Sequence, residues 1–136
     1  MKTLCIPKII FFILLILTSC EVKTEFNQKE WGETFDGSYP KRKKLTDIIL
    51  ESKILNKQNI DTAKSKYLGQ ENYLDSTNKD TIKYSYLIEE LYGFDIDPQY
   101  SSYLEVLVSK KTKTIFQVRK DETQDRRSLL EKMIAN

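Results

Sequence analysis

The chain has no histidine, and only two cysteines, four glycines and three prolines in 136 residues. Histidine is the usual side chain that titrates near neutral pH, so its absence excludes Ser-His-Asp and Cys-His arrangements and the usual zinc ligand sets. The isolated glycines exclude a Gly-rich phosphate loop. No sign of charge dominates either, with 22 Lys and Arg against 20 Asp and Glu. The sequence therefore predicts a protein that is not an enzyme, binds no cofactor and holds no metal.

What is present begins at the N-terminus. Lys2 and Lys8 precede nine consecutive apolar residues, Ile9 to Leu17, followed by Thr18, Ser19 and Cys20. Nine residues rise only about 14 Å as a helix, too little for a bilayer core of about 30 Å. The order of basic start, short apolar run and small residues is that of a secreted signal peptide. Leu17-Thr18-Ser19-Cys20 resembles the bacterial lipobox, which implies cleavage after residue 19 and lipid attachment at Cys20. The segment 1–19 holds two bases and no acid, so the remainder carries 20 of each and is formally neutral. An exported chain without net basic charge is no nucleic-acid binder. Cys5 leaves with the signal and Cys20 is acylated, so no thiol remains for a disulfide and stability rests on a core. About 117 residues suffice for one small domain.

Residues 20–38 read as lipidated Cys and flexible tether, without sustained periodicity. Eighteen flexible residues reach about 23 Å. Phe26, Trp31 and Phe35 are unusual in a spacer; they dock on the domain or a partner, or are scattered exposed aromatics. From Tyr39 to residue 120 the pattern is that of one domain. Leu45, Ile48 and Ile49 predict a helix near 41–53 after Pro40. Ile60, Ala63, Tyr67 and Leu68 predict a second over 60–68, capped by Asn59 or Asp61 and ended by a left-handed Gly69. Residues 70–80 read as polar loop. Period-two alternation then predicts strands near 82–88, 102–109 and 114–120, joined by turns too short for crossover helices. The fold class is α+β in two layers, a helical hairpin on a three-stranded antiparallel meander, with an amphipathic C-terminal helix over 121–136. That last helix, capped by Thr123 or Asp125, either closes the core or docks on a partner.

Three groups carry candidate chemistry. Asp95 and Asp97 form the best carboxylate pair for a cation, although Asp side chains before Pro98 ordinarily cap turn amides; Glu89-Glu90 is weaker. Lys41, Arg42, Lys43 and Lys44 oppose the dipole of the helix they begin, a cost without evident structural return. They are candidate lipid or partner contacts, each attracted to anionic headgroups by about 1 kcal/mol. Tyr84, Tyr86 and Tyr103 on the strands are candidate protein contacts.

The stretch Tyr39 to Arg119 resembles the SmpA/OmlA (BamE-like) family of small outer-membrane lipoproteins. Arg42, Leu45 and Asp47-Ile48-Ile49 are similar to that family's basic first helix, with Ile54-Leu55 after it. Tyr67-Leu68-Gly69-Gln70 resembles its Leu-Gly-x-Pro helix ending, with Asn72 near the place of the usual proline. Tyr84-Ser85-Tyr86-Leu87 looks like the aromatic first strand. Leu104 to Val108 and Lys113-Thr114-Ile115-Phe116 look like the second strand and the turn to the third. The resemblance implies a non-enzymatic accessory of outer-membrane protein assembly or envelope integrity, anchored in the outer membrane and facing the periplasm, with a protein partner in the envelope. The same arrangement resembles the repeat of β-lactamase inhibitory proteins, whose sheet is a binding surface. The alternative expectation is thus a periplasmic inhibitor or immunity protein that neutralises an enzyme or toxin.

Overall fold

A computed structural model describes residues 25–93 and 97–124. Residues 1–24, with Cys20, lie outside the described residues, as do Asp95 and 125–136. Helix α1 is Gln28–Gly32, α2 is Arg42–Ser52, and α3 is Ile60–Ala63, continued by a π-helical turn at Lys64–Leu68. Strands β1 (Tyr73–Asp75), β2 (Thr81–Tyr92), β3 (Pro98–Ser109) and β4 (Ile115–Gln124) form one antiparallel sheet in that order.

Local chemistry explains the helix ends. Asn27 caps α1 by accepting from the amides of Lys29 and Glu30. Asn59 caps α3, its Oδ1 accepting from the Asp61 amide at 2.8 Å. Lys53, at φ +54°, ends α2. The π-helical turn closes with the Gly69 amide donating to the Lys64 carbonyl at 2.8 Å. Gly69 has φ +66° and ψ −147°, so it is the expected positive-φ residue but turns into extended chain rather than a left-handed cap.

The α+β class holds, but the sheet has four strands. The supposed polar loop contains β1, because Tyr73, Leu74 and Asp75 pair with Ser85, Tyr84 and Lys83. Three residues are too few to show alternation; the partner strand makes them extended. Residues 121–124, expected to open a helix, instead continue β4. Thr123 pairs with Ser101 and Gln124 with Tyr100, because β3 begins at Pro98 and its amides and carbonyls need a ladder there. The rest of that helix falls outside the described residues.

The tether is also corrected over much of its length. Trp31 on α1 is 1% exposed, and its indole N–H donates to the Leu68 carbonyl at 2.9 Å. Phe26 packs edge-on to Tyr67 at 5.6 Å and tilted against Trp31 at 5.8 Å. Phe35 is exposed, in a tight turn closed by reciprocal bonds with Ser38. The core joins Trp31, Leu45, Ile49, Leu55, Ile60, Ala63 and Leu68 of the helical layer to Tyr86, Ile88, Leu104, Val106, Val108 and Ile115 of the sheet.

Candidate binding face

The helical layer covers one face of the sheet and leaves the other open. Residues opposite one another in an antiparallel sheet share a face. The register therefore places Tyr73, Ser85, Glu105 and Arg119 in one row across the open side. Asp75, Lys83, Leu107 and Gln117 form the row on one flank, and Leu87, Tyr103 and Asp121 the row on the other.

At the centre sits Glu105, only 3% exposed although no helix lies above it. Lys83 Nζ approaches its Oε1 at 2.9 Å, while Arg119 Nε and Nη2 lie 2.8 and 2.7 Å from Oε2. The stems of these long side chains shield the carboxylate they neutralise. Burial pushes the Glu105 carboxyl up, but the hydrogen bonds and charges of Lys83 and Arg119 outweigh it and hold it below its ordinary range. The bond to Glu105 raises Lys83 in turn.

Beside this triad, Tyr73 and Tyr103 meet edge to face at 5.7 Å. Burial, foremost, pushes the Tyr103 phenol up to about 12, so it is a neutral donor at physiological pH. Its hydroxyl lies 3.4 Å from Glu90 Oε1, and Tyr92 donates to Glu90 Oε2 at 2.9 Å. A hollow of about 250 Å³ is lined in part by Tyr73, Asp75, Lys83, Tyr103, Glu105 and Asp121. Phe116, the extra residue of a bulge in β4, stands 57% exposed at the end of this face. The open face thus combines an aromatic pair, a charge triad and a shallow hollow.

The residues expected to act by contact divide sharply. Of the tyrosines, Tyr103 lies on the open face. Tyr84 lies on the covered face, packed against the core, with Lys64 Nζ 5.4 Å from its ring. Tyr86 is fully buried against Trp31 at 6.1 Å, its hydroxyl without a partner among the described residues and its phenol pushed up by burial; it is a core residue and touches no partner.

The basic run divides as well. Arg42, 3% exposed, is a structural clamp and not a lipid contact. Its Nε donates to the Trp31 carbonyl at 3.0 Å, and its Nη1 to Asn72 Oδ1 at 2.9 Å and the Leu87 carbonyl at 2.8 Å. The guanidinium also stacks 3.4 Å from the centre of the Tyr39 ring. Burial pushes it down to about 10, so it keeps its proton at neutral pH. Here is the structural return for a cation at a helix start. Lys41 pairs with Glu33 at 2.8 Å and Lys43 with Glu89 at 3.1 Å. Lys44 is exposed without an ion pair among the described residues.

Asn72 completes the clamp. Its amide donates to the Ser85 carbonyl at 3.0 Å, and its Oδ1 accepts from the Leu87 amide at 2.8 Å. Proline there would forfeit the donor and the side-chain acceptor together. The Lys83–Glu105–Arg119 triad was missed in the sequence, yet a signal existed. Each occupies the polar phase of an alternating strand, and the hairpin register sets Arg119 opposite Glu105 with Lys83 on the diagonal.

Among the described residues no group of three or more potential ligands could hold a metal ion, and no helix is long and apolar enough to cross a membrane. Asp97 is exposed, while Asp95 lies outside the described residues. Comparisons with protein-family models, curated proteins and solved structures return no match.

Proposed function

We propose that this chain is a non-enzymatic envelope lipoprotein that works by binding a protein partner through the open face of its sheet. The observation that carries this reading is the contrast between the faces: the helical layer occupies one, while the other holds an exposed Tyr73, a partly buried Tyr103 and a charge triad around a hollow. Cys20 supplies attachment, in the outer membrane and toward the periplasm. The SmpA/OmlA (BamE-like) resemblance makes an accessory role in outer-membrane protein assembly the leading assignment. An inhibitor or immunity protein is the second, favoured by the same face because an enzyme's surface would fit an aromatic, charged sheet equally well.

The test is a photo-crosslinking residue at Gln117, on the open face, in intact cells. Capture of a β-barrel assembly component supports the leading assignment; capture of one hydrolase or toxin moves it to the second. Crosslinks from Lys44 on the helical side with none from Gln117 would sink the sheet-face proposal. Cys20→Ala should release the protein into the soluble periplasm, and its retention with membranes would remove the anchor.

A further inference from the structure

We infer that the lipid leash is far shorter than the segment 20–38, and that it turns the helical layer toward the membrane and the open sheet face away from it. This rests on the proposed acylation of Cys20. Only Glu21 to Glu25 stand between Cys20 and Phe26, which is already packed on Tyr67 and Trp31. The six steps from Cys20 to Phe26 span at most about 21 Å of fully extended chain. A helical layer on a sheet is itself on the order of 20 Å deep. The leash leaves the domain from the helical side, since α1 is fixed to the π-helical turn through Trp31 to Leu68 and through Gln28 Nε2 to the Ser65 carbonyl at 2.9 Å. Laying the open face on the bilayer would use the entire leash to pass around the sheet edge.

Charge at the exit agrees with this placement. Lys29 on α1 and Lys66 on the turn are exposed near Phe26 and Tyr67, and neither has an ion pair among the described residues. The occupant of this end is the headgroup surface of the bilayer that holds the Cys20 acyl chains, a placement set mainly by the leash, since exposed Glu25 beside Phe26 offsets part of the lysine charge. The open face is left to a partner arriving from the aqueous side.

The experiment uses the mature acylated protein, beginning at Cys20, in vesicles of phosphatidylethanolamine with a minority of phosphatidylglycerol and a trace of lipid carrying a nitroxide headgroup. The acylated chain has no free thiol, so Lys66→Cys and Gln117→Cys each accept one fluorophore at one place. The label at Lys66→Cys should be quenched several-fold more than that at Gln117→Cys. A flexible Gly-Ser insertion between Glu25 and Phe26 should bring the two closer together. Equal quenching, or stronger quenching at Gln117→Cys, in protein that floats with vesicles overturns the orientation while the anchor stands. An unchanged difference after the insertion overturns the leash as its cause. Protein that neither carries acyl mass on Cys20 nor floats removes the anchor, and the orientation with it.

Discussion

The two faces of this sheet exclude water by different means. On the covered face, Tyr86, Ile88, Leu104, Val106 and Val108 do so against Trp31, Leu45 and Ile49. On the open face Glu105 is nearly as buried, shielded by two cations and their stems. Apolar burial is non-directional and tolerates modest repacking, whereas a buried carboxylate depends on particular partners at particular distances. One strand, β3, carries both solutions in alternate positions. The difference teaches that an uncovered sheet face can bury a carboxylate at its centre while its rim remains available for contact.

The comparison can be broken most forcefully from the covered side. Trp31→Ala should cost about 4 kcal/mol, read as a lowered urea midpoint, because it empties a fully buried site and orphans the Leu68 carbonyl. Arg42→Ala should cost about 3 kcal/mol by leaving the Trp31 and Leu87 carbonyls without their donor and removing one of the two bonds that Asn72 Oδ1 accepts. A loss no larger than that of an exposed lysine variant would return Arg42 to the surface.

The open side answers more gently and depends on pH. Glu105→Gln should cost about 2 kcal/mol near neutrality. The folded-state pKa of Glu105 lies below its ordinary value, so its contribution is full above that value and is lost as pH falls through the folded one. The variant should thus lose part of the acid dependence of stability, with Glu71, Asp75 and Glu122, whose pKa values are also lowered, contributing to the slope that remains. An identical acid slope in both proteins would separate the triad from stability. Smallest of all, Lys44→Ala should leave stability within about 0.5 kcal/mol. A clear loss there would mean that the helical side conceals a further contact.

Local pattern made much of the fold legible. Leu45, Ile48 and Ile49 placed α2 within a residue of each end, and Asn59 is the cap of α3. Alternation located the middles of the three long strands. What escaped depends on contacts remote in sequence. β1 is a strand because β2 lies beside it, and residues 121–124 are extended because of β3. Register shifts between Leu87 and Glu89 interrupt the alternation that would have carried β2 to Tyr92. Trp31 is a lone aromatic in an aperiodic stretch, and its site comes from Leu68 and Tyr86. Within the candidate site only Tyr103 was anticipated. Charge runs such as Lys41 to Lys44 look uniform in a string, yet the helix rotates one of the four into the interior.

The clamp of Arg42 and Asn72 also bears on how copies of the protein behave toward one another. By occupying the Leu87 amide and carbonyl just past the end of β1, these side chains deny a foreign strand that stretch of the β2 edge. At the opposite edge, the Lys57 amide donates to Ile115 and the Ile115 amide to Gln58, so a loop seals the start of β4. Beyond it, Arg119, Lys120, Asp121 and Glu122 present dense charge in place of backbone partners. Under the anchoring at Cys20 proposed above, the domain would meet its own copies at high local concentration, the condition under which bare sheet edges aggregate. The two closed stretches would shorten the edge open to pairing among such neighbours, leaving the three-residue outer side of β1 as its chief remaining stretch.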